Sequence, residues 1–436
     1  MKPVKVGLLG LGTVGGGTIN VLNRNAEEIT RRAGRGIHVT HASARDLNKP
    51  REFSTAGITL CQDPFEVVDK AEVDIVVELI GGTEPAKELI LRAIANNKHV
   101  VTANKALIAL HGNEIFRAAQ EQGVVVAFEA AVAAGIPIIK AIREGLSGNR
   151  IELVAGIING TSNFILTEMR ERGEQFEAVL DKAMRLGYAE ADPTFDIEGI
   201  DAAHKLTILA AIAFGIPLQF DRVYTEGITG VTTADVNYAN ELGYRIKHMG
   251  IARQTQRGIE MRVHPTLIPR KRLMANVEGV MNAILATGDA VGPTIHYGAG
   301  AGAEPTASAV VADLVDVTRA LTSDPENRVP HLAFQPGALN EGGTLPIEEV
   351  ETAYYLRMQA VDKPGVLAEI TRILGDREIS IEAFLQKEPE EGATQVPIIL
   401  LTQKVLEGNM NSAIEAIKQL QVITGDITRI RVETLA

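Results

Sequence analysis

The chain has 436 residues, 45 % apolar and 22 % charged, with one cysteine, no tryptophan and a formal net charge of −12. That length exceeds one ordinary core and implies about two to four domains. The acidic balance disfavours nucleic acid as a partner, because phosphate binding is carried by Lys and Arg, and a lone Cys61 excludes a disulfide framework or a cysteine-rich zinc site within one chain.

Met1-Lys2-Pro3-Val4-Lys5 runs directly into a strand and carries no signal-peptide pattern. The longest apolar stretch, Leu206–Leu218, falls short of the ~20 residues a membrane-spanning helix needs. The expected location is cytoplasmic, with no membrane partner. Strands are expected at Val4–Gly10, Ile37–Ser43, Val73–Ile80, His99–Thr102 and Val124–Glu129, and helices between them, for example at Glu84–Asn96 and Asn113–Gln122. Strands alternating with helices imply βαβ units and a doubly wound parallel sheet, the α/β Rossmann class. From about Gly148 the alternation ends. Ile151–Ile158, Ile259–Leu267 and Met281–Gly288 look extended, while Ser162–Arg172, Phe176–Leu186, Ile200–Phe214 and Ala307–Leu321 look helical, an α+β pattern. A stretch rich in Pro and Gly, Pro325–Pro346, reads as a linker. Beyond it the order strand, helix, strand, strand, helix, strand over Tyr354–Val432 matches the ferredoxin-like split βαβ unit. The expected division is 1–147, 148–322, a linker over 323–350, and 351–436, with a closing element of the first domain shared with 300–322.

Gly10-Leu11-Gly12-Thr13-Val14-Gly15 is a G-x-G-x-x-G that follows the first strand and opens a helix. Its glycines permit a tight turn, let backbone approach a pyrophosphate and let helix pack on strand, and the helix N-terminus faces the phosphates. The second strand ends Ala42-Ser43-Ala44-Arg45-Asp46, with Lys49 behind. Arg45, supported by Lys49, suits the 2′-phosphate of NADP, whereas Asp46 would favour the ribose of NAD. NADP is expected, with NAD also accepted; a solvated loop cation is the plain alternative for Arg45.

Gly187–Asp201 is unusually acidic for a connection between helices, and it runs into Ala202-Ala203-His204-Lys205. Asp201 and Lys205 are four apart, so on a helix they share a face that Ile208 and Ile212 continue. Hydride transfer to a carbonyl needs a proton delivered to the oxygen, and carboxylates could hold the ammonium of an amino-acid-like substrate. Spacing alone leaves an ordinary surface ion pair open. Lys105, just past the end of the His99–Thr102 strand, is a second candidate, since open α/β sheets bind ligands at strand carboxyl ends.

At these residues the sequence resembles the homoserine dehydrogenase family. The likeness runs from about Val4 to Thr322. It includes Gly10–Gly15, Thr102–Lys105, Glu129–Pro137, Gly156–Asn163, Gly187–Pro193, Asp201–Lys205 and Gly298–Pro305. It implies interconversion of L-homoserine and L-aspartate 4-semialdehyde with NAD(P). Lys205 would then be proton donor and acceptor, and Lys105 would lie between coenzyme and substrate. Glu190 and Asp201 would bind the substrate ammonium with Asp196 in support, and Gly187, Tyr188 and Thr161 would line the substrate site. Thr102, Gly187 and Gly302 would touch coenzyme. Glu129, Val132, Ala134 and Ile136 match a monovalent-cation site built largely of carbonyls, with sodium the usual occupant. Asp362-Lys363-Pro364-Gly365-Val366-Leu367 is similar to the start of an ACT domain. In such a domain Asp362, Gly365, Val366 and Leu367 would meet an amino-acid effector, which implies feedback inhibition by L-threonine and a homodimer or homotetramer. Absence of a kinase-like segment before Val4 implies the monofunctional form.

Two rivals remain at this point. A sensor that reads coenzyme and amino acid without turnover would not need Lys205 with Glu190 and Asp201. An aspartate-semialdehyde dehydrogenase needs a cysteine nucleophile, and Cys61 lies in no catalytic context.

Overall fold

The computed structural model describes residues 2–340, 342–387 and 394–435; Glu341, inside the stretch read as a linker, lies outside them. The chain forms two compact units: Met1–Val154 with His204–Asp221 and Met281–Gly342, and Ala155–Ala203 with Arg222–Val280 and Gly343–Ala436.

In the first unit six strands are parallel: β1 (Val4–Leu9), β2 (Ile37–Ser43), β3 (Thr59–Cys61), β4 (Ile75–Glu78), β5 (His99–Thr102) and β6 (Val126–Ala127). Their order is β3-β2-β1-β4-β5-β6, the dinucleotide-binding arrangement, which reverses direction between β1 and β4. Central strands such as β4 are buried at every residue, which is why they read as unbroken apolar runs. β3 was not anticipated, because three residues at a sheet edge carry no periodic signal. β6 is shorter than expected, since Glu129–Ala131 turns into a 3₁₀ helix. The helix expected from Asn113 begins at Lys105, because Asn104 Oδ1 accepts the Leu107 N–H at 3.1 Å and caps it there. Helices Thr13–Arg24 and Ala303–Ala320 bury Ile19, Leu22, Val310 and Leu314 against Val6, Leu8, Ile75 and Val77. Each such side chain contributes about 1.5–3 kcal/mol. Gly17 permits their approach, since a Cβ there would lie 2.6 Å from the Ala303 carbonyl oxygen.

In the second unit Tyr244–Gln254 and Ile259–Pro269 pair antiparallel. The first of these was not anticipated, because Tyr244, Arg245, Lys247, His248 and Arg253 obscure its apolar residues. Ile259–Pro269 is buried almost throughout and sets Glu260, Arg262, His264 and Thr266 on one face at the two-residue strand period. The C-terminal module follows the expected order: Glu351–Val361, helix Val366–Gly375, Ile381–Leu385, Gln395–Thr402, helix Glu407–Lys418 and Ile423–Val432. Its long strands pair antiparallel, with Glu351–Val361 between Ile423–Val432 and Gln395–Thr402, and Ile381–Leu385 outermost. The module is not a detached bead. Ile423–Val432 also pairs in parallel with Ile259–Pro269, Thr266 opposite Arg431 and Leu267 opposite Val432. Just beyond, buried Glu433 binds Arg262 and, at 2.8 Å, Arg253. Burial alone would raise the Glu433 carboxyl, but Arg262 and Arg253 beside it hold it down to about 2.

Candidate active site

β1 ends at Leu9, and the chain turns through Gly10 at φ +101° into the helix opened by Thr13. A Cβ at Gly10 would lie 2.8 Å from the Leu79 carbonyl oxygen, and one at Gly15 would lie 2.1 Å from the Gly10 carbonyl oxygen. The protein's own backbone therefore requires both glycines. A Cβ at Gly12 would meet no protein atom within 4 Å. Gly12 and Thr13 are exposed, Leu11 and Val14 are half-buried, and no side chain caps the helix. This is an open backbone cradle of the kind a pyrophosphate fills.

The carboxyl ends of β4 and β5 are tied by Glu78, which sequence reasoning missed although it ends an otherwise apolar strand. Glu78 is fully buried; one oxygen accepts the Ile80 N–H at 2.8 Å, the other the Thr102 hydroxyl at 2.7 Å. Thr102 Oγ1 in turn accepts the Asn104 N–H at 3.0 Å, immediately before Lys105. The Thr102 side chain is thus committed to the protein. Arg45 and Lys49 are exposed beyond β2, while the Asp46 carboxylate accepts the Asn48 N–H at 2.9 Å within its own loop. Gly302, at φ +121°, is exposed and precedes the helix starting at Ala303. Cys61 is half-buried on β3, and burial pushes its thiol up, the opposite of activation.

In the second unit one amide links two carboxylates of the acidic stretch. Asn159 caps the helix Gly160–Arg172, its Oδ1 accepting the Ser162 N–H at 2.8 Å. Its Nδ2 donates to Asp196 at 2.7 Å and to Asp201 at 2.8 Å. Sequence reading quoted Asn159 in a motif and gave it no role. Thr161 Oγ1 donates to the Tyr188 carbonyl at 2.6 Å, fastening the exposed turn at Gly187, whose φ is +74°. Glu190 is exposed; Asp201 is buried.

Asp201 and Lys205 stand one turn apart on the helix Ile200–Phe214, which is buried at every residue from Asp201 onward. Lys205 is 9 % exposed, so the surface ion pair left open by spacing is not what forms. Asp201, His204 and Lys205 fall at i, i+3 and i+4 on a helix whose other residues, Thr207 apart, are apolar.

The loop after β6 has two successive non-glycine residues with positive φ, Ala133 at 51° and Ala134 at 30°. Both Glu129 carboxylate oxygens accept backbone N–H groups, from Ile139 at 2.9 Å and Lys140 at 2.8 Å. Burial raises the Glu129 carboxyl, and those N–H groups oppose the shift. The Ile136 carbonyl accepts the Ile138 N–H at 2.8 Å. Among the described residues the buried carbonyls of Val132 and Ala134 accept no hydrogen bond, so the loop has oxygens to offer a cation. No cluster of three or more His, Cys, Asp or Glu able to hold a metal occurs among the described residues. No helix among them is long and apolar enough to cross a membrane.

In the C-terminal module Asp362 and Gly365, at φ +94°, lead into the helix Val366–Gly375, which no side chain caps. Val366 is buried in the module's core, and Leu367 is half-buried.

Comparison with known proteins bears on all three regions. Residues 10–129 match the family model described as homoserine dehydrogenase, NAD binding domain, residues 137–315 that of homoserine dehydrogenase, and residues 354–420 the ACT domain. A homoserine dehydrogenase of Pseudomonas aeruginosa is 67 % identical, with all of both chains covered. The crystal structure of a homoserine dehydrogenase from Thiobacillus denitrificans superposes with a TM-score of 0.96 at 67 % identity, over 100 % of this chain and 99 % of that one. A hyperthermophilic archaeal homoserine dehydrogenase in complex with NADPH matches with a TM-score of 0.62 at 27 % identity, over 73 % of this chain and 98 % of that one.

Proposed function

The chain belongs to the homoserine dehydrogenase family and is an NAD(P)-dependent oxidoreductase, and from that premise we propose that Lys205 is its general acid and base. Bound nicotinamide coenzyme supplies or accepts the hydride at the carbon that bears the reacting oxygen. In reduction of L-aspartate 4-semialdehyde, Lys205 Nζ donates a proton to the oxygen as it becomes a hydroxyl; in oxidation of L-homoserine it takes that proton back. Glu190 and Asp201 receive the substrate ammonium, and Asp196 shares the Asn159 amide with Asp201 and keeps it oriented. Lys105 lies between coenzyme and substrate, and the backbone around Thr161, Gly187 and Tyr188 shapes the substrate end.

The observation that carries this reading is the polar face of one buried helix, where Lys205 follows Asp201 by a single turn. Lys205→Ala is expected to cut kcat at least ~100-fold, the low end for a positioned acid–base group, with coenzyme affinity unchanged by fluorescence titration. Near-normal turnover would refute the role.

Gly10–Gly15 cradle the pyrophosphate, with Thr102, Lys105, Gly187 and Gly302 contributing further contacts. NADP is preferred over NAD: Arg45 and Lys49 are exposed where a 2′-phosphate would sit, and the rival Asp46 turns one oxygen to the Asn48 N–H of its own loop. Sodium, held by the carbonyls of Glu129, Val132, Ala134 and Ile136, braces the loop after β6, and the two unpaired carbonyls favour this. L-Threonine binds at the Asp362–Leu367 turn of the ACT module and inhibits. The chain divides as 1–147, 148–322, 323–350 and 351–436, works in the cytoplasm, and assembles as a homodimer or homotetramer.

A further inference from the structure

A continuous set of contacts inside the second unit leads from the C-terminal module to the carboxylates assigned to the substrate. Arg431, on the module's last strand, is 1 % exposed and is gripped by Glu407, on the module's second helix, through Nε at 2.7 Å and again through its terminal nitrogen. Its other nitrogen donates to Glu226 at 2.9 Å, and its guanidinium lies 4.8 Å over the Tyr224 ring. Tyr224 donates to the same Glu226 oxygen at 2.9 Å. Glu226 is outside the module, and its backbone N–H donates to the Val263 carbonyl at 2.8 Å.

The next two residues sit directly on the acidic stretch. A Cβ at Gly227 would lie 2.5 Å from the Ile197 carbonyl oxygen, so only glycine allows that approach. Ile228 N–H donates to the same Ile197 carbonyl at 2.8 Å. Buried His248 bonds the Glu226 carbonyl through Nε2 at 2.9 Å, and its ring lies 3.0 Å from where a Cβ of Gly199 would be. Asp196 precedes Ile197 and Asp201 follows Gly199 by two residues, so the segment 226–228 supports the backbone that carries both carboxylates.

We propose that Arg431 and Glu226 are positioning residues for Asp196 and Asp201, a strut through which the C-terminal module sets the affinity for the amino-acid substrate. Arg431 is fixed by Glu407 on one side, so a shift of the second helix of the module moves Glu226 and, through Gly227 and Ile228, the 196–201 backbone. Substrate itself is touched by neither residue. The inference rests on the reading that Asp196 and Asp201 serve the substrate ammonium.

The test is steady-state homoserine oxidation by the full-length chain. Glu226→Gln keeps the side chain's size and removes the charge that holds Arg431. It should raise KM for homoserine roughly three- to tenfold while kcat and coenzyme KM stay within about twofold, the scale of coupling through packed networks. Arg431→Lys should do the same, and the double variant should be no worse than the poorer single one, because the two act as one unit. Additive effects, or equal losses in homoserine KM, coenzyme KM and kcat, would mark a merely structural pair and overturn the strut. Asp201→Asn separates the two levels. If it raises homoserine KM while Glu226→Gln does not, the strut is wrong and the substrate reading stands; if Asp201→Asn has no effect, both fall.

Discussion

The turn at Gly10–Gly15 and the stretch 187–201, proposed above to receive coenzyme and substrate, are built of different materials. At the turn the working surface is backbone, opened by glycines whose constraints come from within a few residues or from the neighbouring strand end. In the acidic stretch the working surface is carboxylate, and its geometry depends on Asn159, 37 residues before Asp196 and 42 before Asp201. A backbone cradle tolerates much change around it. In the carboxylate pair one amide serves two like charges at once, so a change at that single residue reaches both.

That contrast is broken most directly at Asn159. In Asn159→Ala both carboxylates lose a charge-assisted donor, each such bond being worth about 1.5–3 kcal/mol, and the helix Gly160–Arg172 loses its cap. The expected result is a rise of about ten- to hundredfold in homoserine KM with coenzyme KM unchanged, accompanied by a lower Tm. A variant with normal homoserine KM would show that the amide is not what orders the acids.

The same contrast explains what was legible beforehand. The Gly motif, the alternation of strand and helix, and the ferredoxin-like tail are local patterns, and the parallel sheet and the element order of the module followed from them, whereas the edge strand β3 did not. Lys205 with Asp201 was visible as helical spacing, although the burial that sets the two apart from an exposed pair was not. Asn159 and Glu78 act over distances that no local window contains. The strand Tyr244–Gln254 was hidden because its polar residues are buried against partners such as Glu226 and Glu278 rather than solvated. The parallel pairing of Ile423–Val432 with Ile259–Pro269 joins residues over 160 positions apart and has no sequence signature at all.

Within the turn, the glycines can be separated by what each one avoids. Gly12→Ala places a methyl in open space, so the fold should be unaffected, whereas coenzyme KM should rise about tenfold, or about 1.4 kcal/mol, if the turn receives pyrophosphate as proposed. Gly15→Ala drives a Cβ against the Gly10 carbonyl oxygen and should lower Tm by several degrees, an overpacking cost of about 1–3 kcal/mol. Equal thermal loss in both variants would mean that Gly12 also serves the fold. A smaller effect is expected at Arg45, which is exposed. An ion pair there is worth about 0.2–1 kcal/mol, so Arg45→Ala should reduce the ratio of kcat/KM for NADP over NAD up to about fivefold. An unchanged ratio would remove Arg45 from coenzyme selection.

The smallest effect concerns the backbone of the first unit rather than its ligand. Two successive N–H groups at β6, of Val125 and Val126, donate to imidazole nitrogens: His99 Nδ1 at 3.0 Å and His331 Nε2 at 3.1 Å. A ring that accepts there must be neutral at that nitrogen. Burial, reinforced by Arg328 for His99 and by Arg143 and Arg328 for His331, pushes both rings from 6.5 down to about 4. A depressed folded-state value means that the stability is complete above pH 6.5, where the unfolded chain is also neutral, and is lost as pH falls from 6.5 towards 4. His331 stacks on Phe116 at 5.0 Å and brings the 325–339 segment onto that strand, so its protonation loosens the edge of the sheet. His331→Gln offers an acceptor that does not titrate. Its Tm should therefore decline less steeply than the parent's between pH 6.5 and 4, with little change at pH 8, and parallel curves for the two proteins would show that the imidazole is not the group responsible.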